Sequence, residues 1–241
     1  MNIQIFKTAQ EAAIETAQSI LKLIKAKPNA CIAFPTGRTM DAVYYQLTIL
    51  SLTQKADFSK VKAFMVDEFL DIPFHHSQSY FSYLKEKLFL GLNFSEENIF
   101  KMNPGQKNLD IYSREYEQLI ADHGGFDLVL LGLGMNGHIA LNEPGSAHDS
   151  KTRVVAISGS TLEGIKNSFQ NENEVPRRAL TLGIQTIMKS REVFLIVTGT
   201  SKADILRKII KEPASSDYPA SLIRENNNLK IILDKDSSSN L

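Results

Sequence analysis

The sequence holds a single cysteine, Cys31, among 241 residues, so no disulfide can close within the chain. That excludes a small disulfide-stapled fold and fits a reducing compartment. An excess of charge is missing too: 27 Lys and Arg balance 27 Asp and Glu. Such a balance excludes the broad positive field of a general nucleic-acid binder but leaves room for a local basic pocket that takes an anion. No apolar run approaches the ~20 residues of a membrane helix. The start, Met1-Asn2-Ile3-Gln4-Ile5-Phe6-Lys7, lacks the layout of a signal peptide. Together these absences point to a soluble, cytoplasmic protein. No internal repeat or low-complexity linker divides the chain, so residues 1–241 are expected to form one domain, with residues 236–241 a polar, frayed tail.

Apolar residues make up 43% of the chain, enough for a substantial core. Thr8 and Glu11 form a capping box ahead of a helical pattern that runs to about Lys25. Apolar runs of strand length occupy residues 30–34, 62–66, 127–131, 153–157, 192–198 and 229–233. Helical spacing occupies residues 41–52, 79–89, 110–123, 180–189 and 201–211. This alternation predicts an α/β fold with a mainly parallel sheet covered on both faces. In such sheets ligands bind beyond the carboxyl ends of the strands. Thr36 to Thr39, Asp67-Glu68, the stretch from Asn136 to Glu143, and Lys202 all fall at such ends.

Each of these groups has a functional and an ordinary reading. The turn Thr36-Gly37-Arg38-Thr39 can offer backbone N–H groups, hydroxyls and a helix N-terminus to a phosphate, although it is no Walker loop. Gly and Thr are also common in turns that bind nothing. Asp67 and Glu68 can cap the next segment, or one can serve as a general base whose pKa a dry pocket raises. In Gly137-His138-Ile139-Ala140-Leu141-Asn142-Glu143, His138 can carry a proton either way and Glu143 can orient it, unless the imidazole merely satisfies local hydrogen bonds. No metal site is expected: His75 and His76 are adjacent, so their side chains diverge, and no partner at ligand spacing is near. Cys31 reads as strand core, and Arg207, Lys208 and Lys211 as a solvated helix face.

The blocks Val66-Asp67-Glu68-Phe69, Gly132-Leu133-Gly134-Met135-Asn136-Gly137-His138-Ile139-Ala140-Leu141-Asn142-Glu143-Pro144-Gly145 and Ala179-Leu180-Thr181-Leu182-Gly183, with Ser79-Tyr80 and Gly199-Thr200-Ser201-Lys202, carry a resemblance. Across nearly its whole length the chain resembles the glucosamine-6-phosphate deaminases and galactosamine-6-phosphate isomerases. The resemblance implies a Rossmann-like three-layer sandwich, a small-molecule sugar phosphate as substrate, no cofactor, and an aldose–ketose isomerisation that ends in loss of ammonia. It makes Asp67 the base at C2 and His138 the proton carrier for ring opening, with Asn136 and Glu143 arranged around it. Thr36, Gly37, Arg38, Thr39 and Lys202 are expected to hold the phosphate.

Departures from the family pattern shape further expectations. The phosphate turn, usually T-G-x-T-P with a small x, has Arg38 at x and Met40 last. Where many glucosamine-specific members carry a phosphate arginine this chain has Asn167, so its neighbour Lys166 is expected to substitute, or preference shifts toward galactosamine 6-phosphate. Asn136 stands where some members carry Asp. Val155 and Ala156 fall where an effector site would want polar groups, and the sequence stops at Leu241 without the longer extension of the hexameric members. A monomer with no allosteric effector is therefore expected. The alternative enzyme is a 6-phosphogluconolactonase, whose block typically continues G-H-T-A-S-L-F-P and lacks the glutamate. A silent sugar-phosphate sensor would not need Asp67, His138 and Glu143 together, and no DNA-binding motif accompanies them.

Overall fold

The computed structural model of the protein describes residues 1–157 and 159–241. The chain opens with an edge strand, β1 (Asn2–Phe6), which the apolar pattern does not announce. The Thr8 side chain then accepts the Glu11 N–H and caps α1 (Ala9–Ala26) as the capping box requires. That helix buries Ala13, Ala17, Ile20, Leu21 and Ile24 along one stripe. Next come β2 (Cys31–Phe34), α2 (Arg38–Gln54) and β3 (Lys62–Met65). One residue, Val66, separates β3 from a three-residue strand, β4 (Asp67–Phe69). The order continues with α3 (Tyr80–Lys87), β5 (Ile99–Phe100), α4 (Leu109–Asp122) and β6 (Leu128–Gly132). The last elements are β7 (Arg153–Ala156), α5 (Gly159–Lys166), β8 (Arg178–Thr181), α6 (Ile184–Met188), β9 (Glu192–Val197), α7 (Ala203–Lys211) and β10 (Leu229–Asp234).

Seven strands form one sheet in the order β1-β10-β9-β6-β2-β3-β5, and every pair in it is parallel. All four residues of β2, and all of β9 beyond its first residue, are buried, as expected of strands covered on both faces. From β2 the chain winds outward through β3 and β5, then returns to the other side of β2 with β6, β9 and β10. The order therefore reverses between β2 and β6, and the crevice beyond the carboxyl ends of these two strands is where this topology leaves room for a ligand.

A second, antiparallel sheet was not expected. It has the order β4-β8-β7, with Asp67 opposite Thr181 and Arg153 opposite the same residue. Helical spacing at residues 180–189 is thus corrected: Ala179, Leu180 and Thr181 are fully buried strand, and helix is confined to Ile184–Met188. Gly183 marks the change. A Cβ there would lie 2.1 Å from the Ser150 carbonyl oxygen, so the backbones meet too closely for any side chain. The expected frayed tail is also corrected. Ser237 is fully buried, its hydroxyl donates to the Val197 carbonyl at 2.8 Å, and its N–H donates to Asp234. Cys31 sits in the core, where desolvation first and Asp127 second push its thiol up to about 12. Among the described residues no helix is long and apolar enough to cross a membrane.

Candidate active site

A cleft of about 1050 Å³ opens at the carboxyl ends of the strands, lined by the turn after β2, by Asp67, by the loop after β6, by α5 and by Lys202. Thr36, Gly37, Arg38, Thr39, Asp67, His138 and Lys202, seven residues singled out in the sequence, all face it. The two turns flanking the β2–β6 reversal supply most of these groups, so topology rather than chance gathers them.

The turn after β2 is held by its carbonyls. The Tyr44 hydroxyl donates to the Pro35 carbonyl, and the Tyr83 hydroxyl bonds both the Gly37 carbonyl and Asp41. Gly37 adopts φ +118°, a conformation a side chain disfavours, and no side chain caps the start of α2. The Met40 N–H bonds the Gly37 carbonyl, and Arg38 and Thr39, which line the cleft, begin α2 without a side-chain cap next to two cations. Lys202 is half-buried, and desolvation together with the nearby Arg38 charge lowers its ammonium to about 8. Like charges gathered at an open helix N-terminus suit an anion between them.

Asp67 and Glu68, adjacent in sequence, have separate fates. Glu68 turns inward and accepts the N–H groups of Phe69, Tyr80 and Phe81, and so caps the start of α3. Burial pushes its carboxyl up to about 7 against the pull of those three donors. Asp67 is 5% exposed, lines the cleft, and its Oδ1 has no hydrogen-bond partner among the described residues. Desolvation, then the neighbouring Glu68, raises its pKa well above the usual carboxylate value. A buried acid aimed at a cleft with an open acceptor is placed to take a proton from whatever occupies that space.

His138 follows the tight loop after β6. Its ring lies against Gly134 so closely that a Cβ on that glycine would sit 2.3–2.4 Å from three ring atoms. The Nδ1 atom is 3.1 Å from the Thr161 hydroxyl and 3.7 Å from Glu143 Oε1. Burial lowers the imidazole pKa, Glu143 opposes that, and Lys202 adds to it. Asn136 fixes this arrangement without facing the cleft: its amide donates to Glu143 Oε2 at 2.6 Å and to the Ser160 hydroxyl at 2.9 Å, and its oxygen accepts the His138 N–H. Asn142 braces the same loop by bonding the Ile139 and Leu182 carbonyls and receiving Arg153.

Lys166 does not join the expected phosphate ligands. It lies on exposed α5, is absent from the cleft lining, and pairs with Glu163 one turn earlier. Conversely, Tyr80, Ser160 and Thr161 enter the site without having stood out in the sequence as chemistry-bearing residues. Tyr80 lines the cleft, and burial and the Asp67 charge raise its phenol well above 10. Two adjacent hydroxyl residues in the first turn of an unremarkable helix carry no distinguishing pattern. Among the described residues, no group of three or more His, Cys, Asp or Glu could hold a metal ion.

Fold and cleft define an α/β protein that presents a buried acid, an imidazole and a glycine turn flanked by two cations beyond the carboxyl ends of a parallel sheet. The chain belongs to the family of glucosamine-6-phosphate isomerases and 6-phosphogluconolactonases, whose model matches residues 6–232. It is 34% identical over 241 residues, covering 100% of both chains, to a glucosamine-6-phosphate deaminase of Clostridium novyi. To glucosamine-6-phosphate deaminase 1 of Giardia intestinalis it is 38% identical, over 98% of this chain and 89% of that one. Among solved structures, a monomeric glucosamine-6-phosphate deaminase superimposes with a TM-score of 0.96 at 32% identity, with 100% of both chains covered. The 6-phosphogluconolactonase of Trypanosoma brucei shares the fold, with a TM-score of 0.78 at 23% identity over 100% of this chain and 98% of that one.

Proposed function

We propose that this protein is an isomerising deaminase of a hexosamine 6-phosphate, converting glucosamine 6-phosphate, or its galactosamine counterpart, with water into the ketose 6-phosphate and ammonia. The observation that carries this reading is the meeting, in one cleft, of a buried carboxylate with an open acceptor and a histidine backed by Glu143. The names and full-length similarity of the relatives support it.

In this reading Arg38, Lys202 and the turn Thr36-Gly37-Thr39 hold the phosphate, and that remote binding energy positions the reacting end. His138 takes the proton from O1 and returns one to the ring oxygen, which opens the ring to an aldehyde. Asp67 then removes the proton at C2, acidified by the new carbonyl, and the developing charge is carried on O1. Return of a proton to C1 leaves an iminium at C2. Water adds there, the C–N bond breaks, and ammonia departs with the carbonyl in place. Asn136 and Glu143 act through His138.

The whole chain is read as one domain and as a cytoplasmic monomer without an allosteric effector. The similarity to a monomeric deaminase and the apolar Val155 and Ala156 in β7 support that part of the reading. The test is to incubate the protein with glucosamine 6-phosphate, galactosamine 6-phosphate and 6-phosphogluconolactone, and to assay ammonia, ketose phosphate and acid. Ammonia and ketose phosphate in equal amounts are expected. Acid from the lactone with no ammonia from either amino sugar would replace this reading with the hydrolase.

A further inference from the structure

We propose that Thr161 is a positioning residue for His138: its hydroxyl accepts the Nδ1–H of the imidazole and so leaves the Nε2 lone pair to the cleft. The contact is 3.1 Å between Thr161 Oγ1 and His138 Nδ1, and it is the only hydrogen bond of that hydroxyl among the described residues. Its direction is settled by the neighbours. Glu143 Oε1 lies 3.7 Å from the same nitrogen, and a carboxylate there favours a proton on Nδ1 over a lone pair. Thr161 also lines the cleft, so its own proton can turn toward solvent or ligand there, and accepting from Nδ1–H leaves no donor stranded. The opposite arrangement, with the hydroxyl donating to Nδ1, sets a lone pair against the carboxylate.

The consequence concerns α5. Thr161 and Ser160 sit in its first turn; Ser160 accepts from Asn136, which in turn donates to Glu143. The helix is thereby tied to the histidine at two points by uncharged hydroxyls. The charges that face the imidazole come from elsewhere: Glu143 from its own loop and Lys202 from the segment before α7. Thr161 thus reinforces the Nδ1–H tautomer that Glu143 favours, while Glu143 and Lys202 oppose each other in setting the basicity. This assignment rests on the deaminase reading for its catalytic meaning, but the tautomer itself does not.

The test separates the two. In protein labelled with ¹⁵N at histidine, the His138 resonances are assigned by their loss in His138→Gln, and the Nδ1 and Nε2 shifts report which nitrogen is protonated in the neutral ring. The expected result is Nδ1–H in the unaltered protein, a shift of about fivefold toward Nε2–H in Thr161→Val, and restoration in Thr161→Ser. The acid limb of the kcat/KM profile for deamination is expected to move down by about half to one pH unit in Thr161→Val and to return in Thr161→Ser. Neutral His138 protonated at Nε2 in the unaltered protein overturns the assignment, as does a Thr161→Val variant with unchanged shifts. Loss of activity at every pH with an unchanged profile shape, unrescued by serine, assigns Thr161 to structure alone. A protein that deaminates neither amino sugar removes the function reading and leaves the nitrogen spectrum to decide this one.

Discussion

Replacing Gly134 with alanine separates folding from function at this site. The added Cβ would meet three atoms of the His138 ring at 2.3, 2.4 and 2.4 Å, and no real Cβ contact is that short. Relief requires the ring to move by roughly 1 Å. A ring at the far end of a side chain can swing, so the backbone survives and the loss of stability should be about 1 kcal/mol, or a fall of about 2–4 °C in Tm. Activity has no such escape. The swing takes Nδ1 from the Thr161 hydroxyl at 3.1 Å and shifts the proton carrier away from its substrate. A displacement of that size commonly costs about 10²-fold in rate. The assay is kcat for ammonia release beside thermal melting of the same preparations. Turnover within threefold of the unaltered protein would show that the ring position at Gly134 does not matter and would refute the reasoning; a large loss of Tm with the activity per folded molecule intact would do so as well.

Asp67→Asn should lower kcat by about 10²–10⁴-fold while inorganic phosphate still binds; unaltered turnover dismisses Asp67 as the base. Burial moves Glu68 from 4.5 to about 7, so between those values the folded chain holds a proton that the unfolded chain has released, and stability must fall as pH rises. The effect is roughly 3 kcal/mol for this one group, and urea denaturation from pH 4.5 to 7.5 should show a flatter slope for Glu68→Gln than for the unaltered protein; parallel slopes contradict it. Lys202, lowered to about 8, should regain a proton when an anion docks beside it. Calorimetry of phosphate binding at pH 8.5 in buffers of different ionisation enthalpy should show proton uptake, absent in Lys202→Ala, whose KM for the sugar phosphate rises; equal uptake and equal KM place Lys202 outside the anion site.

The parallel sheet was legible because its strands are buried on both faces and read as unbroken apolar runs, as at Cys31–Phe34 and Glu192–Val197. The first helix was legible from Thr8 and Glu11, whose capping contact forms as spaced. The second sheet was not. Its strand β4 has three residues, opens with two acids and is divided from β3 by Val66 alone, so Asp67-Glu68 read as the end of one strand when they begin another. Its partner β8 is buried on both sides and runs into a short helix past Gly183, which leaves no alternation to separate strand from helix. At the site, the residues gathered at strand ends were legible because topology sends them to one crevice. Lys166 lies outside the cleft lining for a simple cause: a position in sequence does not fix the direction of a side chain on an exposed helix, and Glu163 lies within reach. Ser237 was hidden because a serine-rich end reads as solvated whether or not Asp234 gathers it in.

The same sheet switch explains the electrostatics of the cleft. By crossing from one sheet to the other at Val66, the chain places Asp67 with its side chain buried at the junction and gives Glu68 to the helix N-terminus beyond it. Desolvation keeps the Asp67 carboxyl a strong base. Burial lowers both Lys202 and His138, and the Arg38 charge adds to the first shift and the Lys202 charge to the second. This chain of repulsions has a direction. In the proposed reading, an anion between Arg38 and Lys202 offsets both repulsions, while the desolvation that lowers the imidazole most, and the Glu143 charge that opposes it, remain. In that reading, phosphate binding is felt at the ring-opening step through the two side chains Lys202 and His138.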